Sequence, residues 1–139
     1  MTSPIRFAYS EPSRLAYLPI TLSHESHSLV ASGLLDTGST VNVLPYPIGL
    51  QLGFAWDEQT TPVYLTGSLA RLPSRGIILT GHVASFPPIE LAFAWTQSVD
   101  VPVILGQVNF FMEFDVCFFR SQSAFEVGPK GSSNQSCGC

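Results

Sequence analysis

The segment Leu34-Leu35-Asp36-Thr37-Gly38-Ser39-Thr40 decides how this sequence is interpreted. Its apolar start predicts a strand that delivers the Asp36 carboxylate into a tight turn. In that turn Thr37 offers a hydroxyl, Gly38 permits a backbone path that a side chain would block, and Ser39 can hydrogen-bond the carboxylate. An Asx-turn between two strands is the plainer interpretation. Since chance alone gives Asp-Thr-Gly in roughly 3% of chains of this length, the motif suggests a functional carboxylate without establishing one.

A second segment, Val101-Pro102-Val103-Ile104-Leu105-Gly106-Gln107, ends its apolar run at Gly106, 70 residues after Asp36. An apolar run that ends in glycine predicts a buried strand followed by a turn or a helix start. On its own, such a run is more often a core strand than part of a site. Ile104, Leu105 and Gly106 therefore form a second candidate motif whose meaning depends on the first.

Composition limits the function classes. The chain has 139 residues, of which 45% are apolar and 12% are charged, and its net charge is −4. This length fits one domain, and the apolar fraction suffices for one core, which excludes a disordered chain. Its 6 basic residues are scattered and make no nucleic-acid-binding patch. The low charge is a weak indication of a subunit interface.

The cellular location is predicted from the absence of a membrane helix and of a signal peptide, and from the cysteines. No apolar run reaches the roughly 18 residues that a membrane helix needs, and the start of the chain lacks the apolar core of a signal peptide. The sequence has an odd number of cysteines, which predicts no disulfide framework; they are Cys117, Cys137 and Cys139. We therefore expect a cytoplasmic protein with reduced thiols and no membrane partner. Metal binding by Cys137 and Cys139, or a bond between them, is the less favoured alternative.

Prolines and glycines divide the chain into short elements. Strands at about ten-residue spacing with two short helices predict an all-β barrel or sandwich. Residues 1–14 are predicted to be a loose arm, residues 15–127 the folded domain and residues 128–139 a flexible tail. A hairpin over 63–72 would carry Thr66-Gly67-Ser68 at its tip. The other predicted strands cover 15–22, 29–35, 42–44, 77–83, 89–95, 101–105, 117–119 and 124–127, and the predicted helices cover 45–52 and 107–112.

The combination of these features resembles the retroviral-type (retropepsin-like) aspartic proteases. Asp36-Thr37-Gly38-Ser39 stands where that family has its active-site loop, and the hairpin at 63–72 stands in the place of the family's flap. Ile104-Leu105-Gly106 before a helix matches the family's second motif. The resemblance covers residues 15–127. The wide spacing of the motifs and the stretch Phe86-Pro87-Pro88 are more similar to bacterial members than to viral ones.

The resemblance implies an acid-protease barrel with one Asp-Thr-Gly lobe per chain, so that the two chains of a homodimer build one active site. It implies an aspartic endopeptidase in which Asp36 of each chain joins a dyad that shares one proton and activates water. Peptides or proteins with large apolar residues at the cut are then the substrates, and neither a metal nor a cofactor is needed. Mildly acidic pH should favour activity.

The resemblance also implies supporting roles. Thr37 would brace the two active-site loops across the dimer axis, Gly38 would leave room for the paired loops and the peptide, and Ser39 would support the loop. The tip Thr66-Gly67-Ser68 would close over the substrate. Its single glycine departs from the glycine-rich flaps of viral members. Gln107 stands where some relatives carry Arg or another polar residue, so the contact that locks the subunits can differ.

Two alternatives stay open. The same fold can serve as a non-catalytic dimerisation or peptide-binding module, in which a peptide adds as a strand without being cut. The intact motif at Asp36 favours the enzyme. A precursor whose arm or tail blocks the cleft until it is trimmed is compatible with the enzyme. His24 and His27 are three residues apart, but no cysteine or carboxylate cluster completes a metal site, and we interpret them as solvated turn residues.

Overall fold

The computed structural model describes residues 3–131 as a mostly β structure with nine strands. The strands are β1 (Ile5–Ala8), β2 (Tyr17–His24), β3 (His27–Leu35), β4 (Asn42–Leu44), β5 (Ser74–His82), β6 (Ile89–Thr96), β7 (Val103–Leu105), β8 (Phe114–Phe119) and β9 (Ala124–Pro129). The α-helices are α1 (Tyr46–Gln51) and α2 (Phe110–Glu113), and 3₁₀ turns cover Trp56–Glu58, Gly67–Leu69 and Arg120–Gln122.

Six strands close into a barrel in the order β2-β3-β7-β4-β6-β5. β2 and β3 form an antiparallel hairpin, as do β5 and β6. β7 lies between β3 and β4: it is parallel to β3, with Leu35 opposite Leu105, and antiparallel to β4, with Val43 opposite Ile104. The chain that links β3 to β4 therefore turns past the end of β7. This crossing brings the Asp36 turn beside the chain that leaves β7.

The remaining strands form a three-stranded sheet in the order β1-β9-β8. β1 pairs with β9 from Ile5 opposite Val127 to Ala8 opposite Ala124. Part of the segment predicted to be a loose arm is therefore a strand, and its partner lies near the other end of the sequence. Phe125 and Val127 of β9 are buried in the same core as the barrel residues, so both sheets share one core.

Trp95, fully buried on β6, is the centre of an aromatic group that holds α1 on the barrel. Its ring stacks on Tyr46 with 5.5 Å between the centroids and meets Trp56 edge-on at 5.3 Å. The indole Nε1 donates to the carbonyl of Tyr46 at 3.2 Å. A Cβ on Gly49 of α1 would lie 2.2 Å from the indole, so this contact requires glycine. Packing on Trp95 thus stabilises a helix that has no side-chain cap.

The hairpin predicted over 63–72 is not formed. Its ends are held together by an isolated bridge between Pro62 and Arg75, but the chain between them is a loop with one 3₁₀ turn. Leu65 is only 7% exposed and packs into the barrel wall, and a 3₁₀ turn at Gly67–Leu69 follows it in place of a returning strand. We refer to residues 64–73 as the arched loop.

The second helix begins at Phe110, three residues later than predicted. The amides of Gln107 and Val108 donate to the carbonyls of Ser39 and Thr40, each at 2.9 Å. Residues 107 and 108 therefore bond to the chain that follows Asp36, with Val108 bridging to Val41, rather than beginning the helix. The other predicted barrel strands agree with the structure to within a few residues at their ends.

The described residues contain no helix that is long and apolar enough to cross a membrane. Cys117 is buried on β8 and is disulfide-bonded, so the prediction of reduced thiols is wrong at this position. Cysteine count and spacing do not reveal such a bond. Cys137, Cys139 and most of the predicted tail lie outside the described residues.

Candidate active site

Asp36 directly follows β3, and three hydrogen bonds hold it. Its backbone N–H donates to the carbonyl of Leu105 at 3.0 Å, which ties it to β7. The amide of Gly38 donates to the carboxylate Oδ1 at 3.0 Å, and the amide of Ser39 donates to the Asp36 carbonyl at 3.1 Å. The Asx-turn and the functional carboxylate are therefore compatible interpretations, because the Asx-turn is what orients the carboxylate.

Ser39 does not bond the carboxylate, in contrast to the sequence prediction. The Gly38 amide takes that place at Oδ1, and the Ser39 hydroxyl donates instead to the carbonyl of Val41 at 2.7 Å. Ser39 thus closes the turn on the side of β4. Its contribution is to the shape of the turn rather than to the carboxylate itself.

Thr37 and Gly38 are exposed beside Asp36. The carbonyl of Thr37 accepts a hydrogen bond from the side-chain amide of Gln107 at 2.8 Å, so Gln107 holds the turn of its own chain. A Cβ on Gly38 would lie 3.3 Å from Oδ1 of Asp36, which is tighter than most real side-chain contacts. Glycine at this position leaves the amide free to approach the carboxylate.

The second predicted motif lies directly against the same turn. Ile104 and Leu105 are buried residues of β7, and Gly106 follows them. A Cβ on Gly106 would lie 2.4 Å from the carbonyl oxygen of Val41 and 2.8 Å from that of Ser39, so no larger residue fits without moving the backbone. The structure thus brings the two candidate motifs into contact across their 70-residue separation.

A cavity of about 350 Å³ opens beside Asp36. Val43, Leu65 and Ile104 give it an apolar wall, and they pack together as a buried cluster. Such a cavity suits a ligand that carries an apolar side chain next to a group able to meet a carboxylate. Its lining residues are Asp36, Gly38, Ser39, Thr40, Val41, Val43, Leu65, Thr66, Gly67, Ser68, Leu69, Pro102 and Ile104.

The arched loop contributes the predicted flap tip to this cavity, since Thr66-Gly67-Ser68 line it although no hairpin is formed. Gly67 has a φ of +66°, in the left-handed region that favours glycine, and a Cβ there would meet nothing within 4 Å. Tyr64 of the same loop is 87% exposed and lines a separate pocket with Trp56. Neighbouring residues of the loop therefore line different pockets.

His24 and His27 lie at the end of α1. Nδ1 of His24 is 3.0 Å from the carbonyl oxygen of Leu52, and its ring stacks on Phe54 with 3.9 Å between the centroids. His24 is therefore a packed residue, whereas His27 is exposed, as predicted, against Gly53. Within residues 3–131, no group of three or more His, Cys, Asp or Glu side chains is placed to hold a metal ion.

Asn42 is the site residue that sequence reasoning missed. It is fully buried at the start of β4, and its side-chain Oδ1 accepts a hydrogen bond from the amide of Gly106 at 2.8 Å. The available signal was a polar residue at the start of an apolar strand. That pattern is common and assigns no role by itself.

Solved structures resemble this chain, whereas sequence comparisons find no match. No protein-family model and no curated protein matches the sequence. The solved retropepsin-like aspartic protease from Rickettsia conorii has a TM-score of 0.69 at 15% identity, over 90% of this chain and 89% of that chain. EIAV protease complexed with the inhibitor HBY-793 has a TM-score of 0.51 at 16% identity, over 70% of this chain and 86% of that chain. The chain therefore has the retropepsin-like fold, and the predicted all-β acid-protease barrel is confirmed.

Proposed function

We propose that this chain, whose fold is that of the retropepsin-like aspartic proteases, is an aspartic endopeptidase that acts as a homodimer. The observation that carries the proposal is the Asp36 carboxylate, which the Gly38 amide orients at the edge of an apolar-walled cavity. Each chain supplies one such carboxylate, whereas hydrolysis by an aspartic dyad needs two. A C2 dimer that joins the two Asp36 turns meets this requirement.

In the proposed reaction the two carboxylates share one proton, because both cannot be ionised when they are in contact. The ionised Asp36 takes a proton from water, and the water oxygen attacks the peptide carbonyl carbon. Asp36 of the partner subunit donates its proton to the carbonyl oxygen. When the tetrahedral intermediate collapses, the first carboxylate gives its proton to the leaving amine. The C–N bond breaks, a hydroxyl of the intermediate returns a proton to the partner carboxylate, and a new carboxyl group forms, which restores the dyad.

The neighbours of Asp36 support roles in this dimer. We propose that Thr37, which is exposed beside Asp36, braces the two turns across the axis while Gln107 holds its carbonyl. Gly38 leaves room for the paired turns and the peptide. Thr66-Gly67-Ser68 closes over the substrate from the arched loop, since these residues already line the cavity.

The cavity wall supports a preference for extended peptides with large apolar residues at the cut. Val43, Leu65 and Ile104 offer apolar surface next to the carboxylate, and an apolar side chain gains free energy when it leaves water for such a surface. Neither a metal nor a cofactor takes part in the proposed reaction.

Digestion of an unstructured peptide mixture between about pH 4 and pH 6 tests the proposal. Asp36→Asn keeps an oxygen that accepts from the Gly38 amide but cannot exchange protons, so we expect it to cut nothing. Asp57→Asn is the matched control, because Asp57 is exposed and does not line the cavity. Equal cleavage by wild type and Asp36→Asn would overturn the dyad. No cleavage by a dimeric wild type would favour the non-catalytic peptide-binding module.

The cellular location stays a prediction. The sequence predicts the cytoplasm, whereas a disulfide at Cys117 is typical of an oxidising compartment. Alkylation of thiols at the moment of cell lysis, followed by mass spectrometry, distinguishes the two. Modified Cys117 would support the cytoplasm, and protected Cys117 would support an oxidising compartment.

A further inference from the structure

Asn42 lies behind the Asp36 turn, and its buried side chain joins three parts of the barrel. Its Oδ1 accepts from the amide of Gly106 at 2.8 Å, and its Nδ2 donates to the carbonyl of Ala92 at 2.9 Å. Nδ2 also lies 3.2 Å from Oδ1 of Asn109, to which it donates. A buried amide is costly unless its polar atoms are bonded, and here both of them are. One side chain thus links β4, β6 and the chain that leaves β7.

Asn109 extends this link along β6. Its Oδ1 also accepts from the amide of Ala92 at 3.0 Å, and its Nδ2 donates to the carbonyl of Glu90 at 2.9 Å. The two asparagines therefore fix both ends of the short segment from Gly106 to Asn109 against the backbone of β6. No other side chain within that segment makes a bond of this kind to β6 among the described residues.

The fixed segment in turn holds the Asp36 turn. Gln107 donates from its backbone to the carbonyl of Ser39 at 2.9 Å and from its side chain to that of Thr37 at 2.8 Å. Val108 donates to the carbonyl of Thr40 at 2.9 Å. Hydrogen bonds thus run from β6, through the two asparagines and the segment between Gly106 and Asn109, to three carbonyls of the turn.

We propose that Asn42 and Asn109 are positioning residues for the hydrolysis proposed above, on which this inference rests. Neither residue lines the cavity, so neither touches the substrate. Their effect is to keep the turn, and with it the Asp36 carboxylate, in one orientation. Catalytic groups tolerate little displacement, and a shift of about 1 Å can cost about a hundredfold in rate.

Three variants test the proposal. Asn42→Leu and Asn109→Leu remove the hydrogen bonds but keep a side chain that branches at Cγ. Asn109→Asp loses the bond to the Glu90 carbonyl but keeps the oxygen that accepts from Asn42 and from the Ala92 amide, so it should retain the link through Asn42. Asn109 is only partly buried, which keeps the test available if Asn42→Leu does not fold. Leu79→Ala controls for lost stability, because it truncates a buried side chain that does not line the cavity.

The first readout is steady-state kinetics on a peptide substrate. Each variant is assayed well below its own melting temperature. We expect the leucine variants to lose about tenfold or more in kcat with KM changed by less than about twofold, which marks an interaction that acts on the transition state. Asn109→Asp and Leu79→Ala should keep kcat within about threefold of wild type. A leucine variant with wild-type kcat, or an equal loss in Leu79→Ala, overturns the proposal.

Amide hydrogen exchange measured by NMR gives a readout that does not need activity. The Gln107 and Val108 amides should exchange faster in the leucine variants than in wild type, while amides of the β2–β3 hairpin stay unchanged. Unchanged exchange at Gln107 and Val108 overturns the proposal whatever the activity. A wild type that cuts no peptide overturns the proposed function instead, and faster exchange would then still support the asparagines as the link that holds the turn.

Discussion

Gly106 lies where the two motifs of the candidate site meet, and it has no room for a side chain. A Cβ would lie 2.4 Å from the carbonyl oxygen of Val41, a backbone atom that leads into β4. We expect Gly106→Ala to lower the free energy of unfolding by about 2 kcal/mol, because the added atom forces the backbone apart. Thermal unfolding followed by circular dichroism should show a melting temperature lower by several degrees.

Gly38→Ala is the control for that substitution. Its Cβ would meet a side-chain oxygen of Asp36 at 3.3 Å, which a small rotation of that side chain relieves, so the loss of stability should be smaller than for Gly106→Ala. Equal melting temperatures for Gly106→Ala and wild type would contradict the close packing of the two motifs.

The sequence identifies some of these residues and not others. Asp36 is predictable as a candidate because the triplet Asp-Thr-Gly is rare by chance in a chain of this length. Gly106 is predictable only through the resemblance, since its contact with Val41 depends on where β7 lies in the barrel. Asn42 and Asn109 carry no local signal that assigns them a role, because their partners on β6 and after β7 come near them only in the folded chain.

The arched loop lines one side of the cavity. Leu65 is 7% exposed and packs with Val43 and Ile104, whereas its neighbour Tyr64 is 87% exposed. We expect Leu65→Ala to raise KM several-fold, since it removes apolar surface from the wall of the cavity that we propose holds the substrate. Tyr64→Ala, measured in the same peptidase assay, should leave KM unchanged.

Limited proteolysis provides a second measurement on the arched loop. Loss of the Leu65 anchor should increase nicking within residues 64–73, because loops that open locally are cut first. Resistance of Leu65→Ala equal to that of Tyr64→Ala would contradict the role of Leu65 as the anchor.

At the level of elements, local pattern predicts strands well where their pairing is also local. β4 occupies the predicted residues 42–44, and the β2–β3 hairpin follows its alternation. The arched loop escaped prediction because Leu65 packs against a barrel wall built from distant residues. β1 escaped it because its partner, β9, lies at the opposite end of the described chain. Tertiary contacts override local preference in each of these cases.

The proposed dyad makes pH dependence a property of the whole dimer. Two carboxylates in contact hold one proton in the active state, and they lose it as the pH rises. We therefore expect kcat/KM to be highest in mildly acidic solution and to fall toward high pH. Initial rates from about pH 4 to about pH 9 on one peptide measure this. A flat profile over that range would count against the shared proton.

Mixing of subunits tests whether each active site needs both chains. When the subunits of a C2 dimer exchange freely, the share of wild-type pairs is the square of the wild-type fraction. An equal mixture of wild type and Asp36→Asn should therefore keep about a quarter of the activity at constant total protein. A monomeric enzyme would keep about half, because the inactive chains would only dilute the active ones. Asp57→Asn chains, exchanged in the same way, should cause no loss. Activity that stays near half in the first mixture, with exchange confirmed by native mass spectrometry, would show that one Asp36 suffices and would exclude the dyad.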